Sequence, residues 1–197
     1  LHDALPICVS RRSDAKFIGL CDADVRPSVG YFDVLAQVLK FSPITGLTSG
    51  LSKQGTISQY AVFGNCRLWS AECLAIAEYE VALSADTISL NKARMRGFRP
   101  CLTQTVSFEE RTMGERVDYT YYGFSAAHRG VSTVFAFFKF LSLFGNPKSA
   151  VLYLKGFLQN RYFIRDFYHD EELFNFIRMM SHKSLLHKII GKDDNSV

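Results

Sequence analysis

The stretch Lys16-Phe-Ile-Gly-Leu-Cys-Asp-Ala-Asp-Val-Arg-Pro27 decides how the chain is read. Its apolar run, 17–21, is short and suits a buried β-strand. Asp22 and Asp24 follow the run, and Pro27 blocks further strand pairing. If the backbone stays extended, alternation places both carboxylates on the same side of the chain. The alternative is a pair of solvated turn residues, because Asp favours turns.

Two carboxylates at this spacing indicate a cation. They repel each other unless an ion lies between them or one of them holds a proton. Hard divalent ions prefer carboxylate oxygens, and Mg²⁺ commonly binds through one or two carboxylates together with substrate phosphates. We therefore expect Asp22 and Asp24 to be ligands of Mg²⁺ or Mn²⁺.

The residues after Pro27 alternate between helical and strand patterns, which favours an α/β fold. Ser28 is a candidate N-cap for the first helix, Ser70 for a later one, and Gly97 a candidate helix stop. The pattern predicts these elements in order: a helix over 29–39, a strand over 45–51, a loop or edge strand over 55–60, a turn over 64–69 that leads into a helix over 70–81, a helix over 88–95, and a strand over 98–108.

Composition sets limits on the class of protein. The chain has 197 residues, 48% of them hydrophobic, and a net charge of +4. No block of Lys and Arg forms a nucleic-acid footprint, so a nucleic-acid partner is not expected. The five cysteines are scattered and include no Cys-x-x-Cys pair, which argues against a zinc site or disulfide framework and favours a reducing compartment.

The second half of the chain is aromatic and helical in pattern. The segment 131–144 is almost wholly apolar, 149–158 continues at helical spacing, and 170–180 is amphipathic. Two interpretations stay open for 131–165. These helices pack as an ordinary core, or they lie at a bilayer surface with their basic residues toward lipid head groups.

The first seven residues match the conceptual translation of a common sequencing adapter. We therefore expect 1–7 to be foreign to the natural protein, whose own N-terminus would lie further upstream. The expected organisation is then a catalytic portion over 8–117, a helical extension over 118–190 and a disordered tail over 191–197.

Three segments together resemble the family 2 glycosyltransferases of the GT-A type. The first is 17–24, which ends in the Asp-x-Asp pair. The second is 64–67, Gly-Asn-Cys-Arg, and the third is 85–97, where Asp86 is followed by a helical pattern and Gly97. Ala85 and Lys92 stand where the family has Glu and Arg. The resemblance implies a partial GT-A, Rossmann-like mixed sheet flanked by helices, followed by an apolar α-helical C-terminal extension of the kind found in membrane-associated members.

The resemblance also implies roles and partners. Asp86 would be the catalytic base and Asp22 and Asp24 the metal ligands, in a reaction that moves a sugar from a nucleotide-sugar donor to a saccharide or lipid-linked acceptor, inverting the anomeric carbon. The location would be the cytoplasm, at the inner face of the cell membrane. The fragment itself would be inactive, because the family's nucleotide-binding strand would precede Cys8. The candidate donor- or acceptor-binding residues are Gly64, Asn65, Arg67, His128 and Arg129.

Two other functions fit parts of the sequence. An apolar strand ending in Asp-x-Asp also opens haloacid-dehalogenase-type phosphatases, in which Asp22 would be a nucleophile rather than a ligand. A non-catalytic membrane-binding module would retain the apolar helices without the chemistry. For individual residues, Arg67 is either a phosphate contact or part of a surface salt bridge, and His128 is either a pyrophosphate contact or a partly exposed helix histidine.

Overall fold

A computed structural model describes residues 14–53, 62–79, 82–109 and 118–190, the last range without the side chains of 185 and 187–190. The chain divides into two compact units, Leu1–Glu115 and Arg116–Val197. Each unit is described by itself. The strand or loop predicted over 55–60 lies outside the described residues.

The described part of the first unit contains a mixed β-sheet. Its strands are β1 (Phe17–Cys21), β2 (Arg26–Pro27), β3 (Leu47–Ser52), β4 (Cys66–Ser70) and β5 (Cys101–Glu109). They lie in the order β1-β4-β3-β5-β2. β3 and β5 run parallel, whereas the pairs β1–β4, β3–β4 and β2–β5 are antiparallel.

Helices cover both faces of this sheet. They are α1 (Tyr31–Phe41), α2 (Ala71–Ala77) and α3 (Ala85–Met95). Along β4, Cys66 and Leu68 pack in a core cluster with residues of α1, whereas Trp69 packs in a second cluster with residues of α2 and α3. Successive side chains of a strand point to opposite faces, so α1 lies on one face and α2 and α3 lie on the other. The expected α/β fold with a mixed, helix-flanked sheet is confirmed.

Local sequence explains where these helices begin and end. In α1, Tyr31, Leu35 and Leu39 recur every fourth residue and are all buried. Ser70 Oγ accepts a hydrogen bond from the Cys73 N–H at 3.1 Å and so caps α2, as predicted. Gly97 follows α3 with φ 92°, a left-handed conformation that suits glycine and ends the helix, again as predicted.

Three local predictions are wrong. The segment 64–69 is not a turn, because Cys66–Ser70 forms β4, which has β1 on one side and β3 on the other, although the helix predicted after it is present as α2. The strand ahead of Asp22 is not buried, because β1 is an edge strand in the described sheet and its residues are half-buried or exposed. Ser28 does not cap α1, because Gly30 occupies the N-cap position in a left-handed conformation.

The second unit is helical over its described residues, and the predicted helices 131–144, 149–158 and 170–180 are confirmed. The helices are α4 (Tyr119–His128), α5 (Thr133–Ser142), α6 (Pro147–Leu158) and α7 (Glu171–Ile190), with a π-helical turn over Gln159–Ile164 between the last two. Side chains of Asp118, Ser132 and Asn146 accept backbone N–H groups and cap α4, α5 and α6. Among the described residues no helix combines the length and the apolar character needed to cross a membrane.

Two glycines and one asparagine hold α4, α6 and the π-helical turn together. A Cβ on Gly123 would collide with the Tyr153 carbonyl oxygen, and one on Gly156 would collide with that of Thr120. The backbones of α4 and α6 therefore touch directly. Asn160 is fully buried, donates to the carbonyls of Phe124 at 3.2 Å and Asp166 at 2.9 Å, and accepts the Asp166 N–H at 2.8 Å.

Candidate functional site

The two carboxylates predicted to bind a metal lie in a turn at the end of β1. The Asp22 N–H continues the ladder by donating to the Asn65 carbonyl at 2.8 Å, and the Asp22 carbonyl then accepts the Val25 N–H at 3.1 Å. The backbone thus turns over 22–25, so the Asp22-Ala23-Asp24 segment is not extended and the alternative of two turn residues describes it. Both Asp residues are exposed. They nevertheless share a neighbour: burial raises the pKa of Cys21, and the charges of Asp22 and Asp24 raise it further.

Arg67 adds a buried positive charge on the strand that pairs with β1. It lies on β4, opposite Leu20 of β1 and Ser49 of β3. Only 1% of Arg67 is exposed, so the surface salt bridge considered from the sequence is wrong. Its guanidinium lies 5.2 Å from the ring centre of Trp69 and 5.5 Å from that of Tyr79. These aromatic faces stabilise a cation at a position where water is excluded.

Asp86 lies in the first turn of α3, half-buried, directly beside Gly64 and Arg67. Its backbone carbonyl accepts a hydrogen bond from Arg67 Nη1 at 3.1 Å and another from Ser89 Oγ at 3.1 Å. A Cβ on Gly64 would collide with Asp86 Oδ2. The missing side chain at Gly64 thus makes room for the carboxylate.

These groups form one cluster of interacting charges, which we call the Arg67 cluster: Asp22, Arg67, Tyr79 and Asp86. Burial lowers the pKa of Arg67, and the charges of Tyr79, Asp86 and Asp22 oppose that effect. Burial raises the pKa of Tyr79. The charge of Arg67 opposes this increase, whereas the charges of Asp86 and Asp22 add to it. The charges of Asp22 and Asp86, which lie far apart in the sequence, therefore act on the same two side chains.

The residues at this turn fit a hard divalent ion whose coordination is completed by other oxygens. Asp22 and Asp24 supply carboxylates, the donors that Mg²⁺ and Mn²⁺ prefer, on an exposed turn open to a ligand. Across the ranges that the structure describes, no group of three or more His, Cys, Asp or Glu residues could enclose a metal. Mg²⁺ is commonly bound through one or two carboxylates together with substrate phosphates.

The other candidate residues have different surroundings. Asn65 contributes its backbone carbonyl to the Asp22 turn. His128 and Arg129 belong to the helical unit. His128 is buried, not partly exposed, and its Nδ1 lies 3.0 Å from the Asp166 carbonyl oxygen. Arg129 Nη1 donates to Ser125 Oγ at 3.2 Å. These contacts indicate structural roles for both residues within their own unit.

Two features of the site were not predicted from the sequence. Tyr79 follows α2 without any local motif, and its place beside Arg67 depends on how α2 returns to the sheet. Cys21 and Cys66 form a cross-strand pair, with their sulfurs 3.8 Å apart. Only the strand register shows this pairing, and a turn predicted at 64–69 excludes that register.

Comparison with known proteins adds no family to this description. No family model matches the sequence, and no curated protein matches it significantly.

Proposed function

We propose that this chain carries the catalytic carboxylates of a metal-dependent glycosyltransferase that moves a sugar from a nucleotide-sugar donor to a hydroxyl group. One observation supports the proposal above all: Asp22 and Asp86 act on the same buried Arg67, with Asp24 in the same turn as Asp22. Two carboxylates in one turn would serve as the metal ligands, and a third at a helix start, which acts on the same Arg67, would serve as the base that this reaction needs.

Each residue has a distinct task in this mechanism. Asp86 accepts the proton of the acceptor hydroxyl while the hydroxyl oxygen attacks the anomeric carbon. Asp22 and Asp24 would hold Mg²⁺ or Mn²⁺, which would supply positive charge against the diphosphate leaving group. Arg67 fixes the first turn of α3 through the Asp86 carbonyl, at 3.1 Å, and so positions the base. Gly64 leaves the space that the Asp86 carboxylate occupies. Direct displacement by the acceptor inverts the anomeric centre.

Asp86→Asn tests the proposal in a protein that carries this chain together with any upstream segment of its gene. We expect transfer, measured as nucleoside diphosphate released from a panel of nucleotide sugars with Mn²⁺, to fall by about 10²–10⁴-fold, because the general base is lost. The amide retains the shape of the side chain, so the melting temperature should change little. Asp33→Asn removes an exposed carboxylate from the first turn of α1 and should leave the rate unchanged.

The same variants separate the alternatives. If the chain is a phosphatase that uses Asp22 as its nucleophile, the Asp86→Asn variant would still hydrolyse phosphate esters, whereas Asp22→Asn would abolish that activity. If the chain is a binding module, neither the wild type nor the Asp86→Asn variant would release nucleoside diphosphate. Full transferase activity in the Asp86→Asn variant would rule out the assigned base.

We further propose that the helical unit places the enzyme on the cytoplasmic surface of an anionic membrane, where a lipid-linked acceptor would be available. Every charged side chain within 131–165 is basic, which complements anionic lipid head groups. α5 buries only Ala136 and exposes an apolar face formed by Val134, Phe137, Phe138 and Leu141, which Phe144 extends just beyond the helix. We call this the α5 face. Aromatic and basic residues together suit the bilayer interface.

Flotation with phosphatidylglycerol vesicles at low salt tests this surface. The wild-type chain should float, and the double variant Phe137→Ser, Phe144→Ser should bind at least about tenfold more weakly, since each phenylalanine contributes roughly 1–2 kcal/mol on burial. Val29→Ser with Phe41→Ser is the matched control, because both residues are highly exposed in the first unit. Equal flotation of the two double variants, or self-association of the wild type that the α5 variant abolishes, would exclude the membrane role.

A further inference from the structure

The sulfurs of Cys21 and Cys66 lie 3.8 Å apart at the end of the β1–β4 ladder. Both cysteines are free thiols; Cys21 is exposed and Cys66 is buried. We infer that this pair is a redox modification site, at which a small-molecule disulfide oxidises the two thiols to a reversible cross-strand disulfide beside the Asp22–Asp24 turn. The inference stands on strand register and distance and does not depend on the proposed transferase activity.

The register of the two strands suits such a bond. Cys21 is directly opposite Cys66, and the next pair, Asp22 and Asn65, is joined by the Asp22 N–H to Asn65 carbonyl hydrogen bond of 2.8 Å. Hydrogen-bonded and non-hydrogen-bonded pairs alternate along an antiparallel ladder. Cys21 and Cys66 therefore occupy a non-hydrogen-bonded position, where Cα atoms are about 4.5 Å apart, within the range of roughly 4.4–6.8 Å that disulfides span.

The difference in exposure sets the order of the two chemical steps. The exposed Cys21 sulfur, having lost its proton to water, attacks one sulfur of the small disulfide and expels the other half as a thiolate. The Cys66 thiol then loses its proton, and its sulfur attacks the Cys21 sulfur and expels the second half. Two protein thiols are thereby oxidised by two electrons, and one small disulfide is reduced to two thiols that take up the protons. Transient disulfides of this kind occur in reducing compartments as redox sensors.

The remaining cysteines provide internal controls. Cys73 is buried in the cluster between the sheet and α2, and the Cys101 sulfur lies 3.7 Å from Thr48 Oγ1. Neither is a cross-strand neighbour of Cys21 or Cys66 in the β1–β4 register. Cys8 lies outside the described residues, so Cys8→Ser is used as the background for all proteins in the test.

The test exposes the folded Cys8→Ser chain to glutathione disulfide, blocks the remaining thiols with iodoacetamide, and maps tryptic peptides by mass spectrometry without reduction. We expect one cross-linked pair that joins the Cys21 and Cys66 peptides, with alkylation of Cys73 and Cys101. Dithiothreitol should restore both thiols. The oxidised chain should melt about 5 °C higher, because the bond restricts the unfolded chain.

Single-cysteine variants test the order of events. Cys66→Ala should hold glutathione on Cys21, because the resolving sulfur is absent, whereas Cys21→Ala should leave Cys66 unmodified in the folded chain. Three results would overturn the inference: a cross-link that involves Cys73 or Cys101 instead, a Cys21–Cys66 bond that forms only in urea, or stable glutathione on Cys21 in the protein that retains Cys66.

Discussion

Arg67→Leu is expected to lower the free energy of unfolding of the first unit by about 3–5 kcal/mol, because it removes a buried cation and leaves the half-buried Asp86 and Tyr79 without it. Arg67 is 1% exposed, and its guanidinium interacts with Asp86, Asp22 and the rings of Trp69 and Tyr79. Leucine replaces none of these interactions. A loss of this size is a large part of the roughly 5–15 kcal/mol that stabilises an ordinary domain.

The protein supplies its own probe for this measurement. Trp69 is the single tryptophan of the chain and lies against Arg67, so its fluorescence in a urea titration reports on this region of the sheet. Lys53→Leu is the matched control, since Lys53 pairs with Glu109 at 2.8 Å where both side chains are 53% exposed, and such pairs contribute no more than about 1 kcal/mol. An Arg67→Leu protein as stable as the Lys53→Leu protein would contradict the prediction.

A double-mutant cycle shows whether charge causes the loss. Arg67 Nη1 binds the backbone carbonyl of Asp86, so Asp86→Asn retains this hydrogen bond and removes only the carboxylate charge. If the unbalanced carboxylate is responsible, Arg67→Leu should cost at least about 1 kcal/mol less in the Asp86→Asn background. Equal costs in both backgrounds would assign the loss to packing against Trp69 and Tyr79.

Gly156→Val should destabilise the helical unit by about 3 kcal/mol or more, because its side chain would meet backbone rather than a movable side chain. A Cβ at Gly156 collides with the Thr120 carbonyl oxygen, so α4 and α6 would have to separate along their contact. Even Gly156→Ala should destabilise, although alanine is favoured over glycine inside a helix by about 1 kcal/mol. Whether Gly156→Ala lowers or raises the free energy of unfolding thus shows whether close packing or helix propensity dominates.

Far-UV circular dichroism during urea unfolding measures this effect, since helices dominate the signal of the second unit. Gly145→Ala is the control in the same unit, because a Cβ there meets nothing within 4 Å, and its effect should stay within about 0.5 kcal/mol. Gly123→Ala should behave as Gly156→Ala does, since it faces the Tyr153 carbonyl across the same contact. Stabilisation by either alanine would contradict the direct backbone contact.

The sequence predicts the fold best where one face of an element meets water. The pattern predicts α1 because apolar residues recur at helical spacing against polar neighbours; of these residues Leu35 and Leu39 are buried, whereas Val29 is exposed. β4 was not recognised, because it lies between two strands with helices on both faces, so Cys66, Arg67, Leu68 and Trp69 are all buried. A strand covered on every side shows no alternation, and its one charged residue made a turn the more natural interpretation.

The site divides in the same way. Local patterns indicate the carboxylate pair, and the resemblance to a known family suggests Asp86, but no local pattern predicts that Arg67 is buried. That burial depends in part on Tyr79, which lies beside Arg67 only when α2 is folded back against β4. Likewise, the turn at Asp22 forms because the Val25 N–H donates to the Asp22 carbonyl. The backbone therefore leaves the extended conformation at Asp22, which the alternation of side chains does not predict.

The strand order also sets the sequence in which the sheet can assemble on the ribosome. β5, the last of the described strands to be synthesised, lies between β3 and β2, and β2 has β5 as its neighbour in the described sheet. Until residues 101–109 have emerged, Leu47–Ser52 and Arg26–Pro27 both lack the partner strand that they have in the described sheet. A nascent chain paused before that point is therefore the species most exposed to strand exchange with another copy or to capture by chaperones.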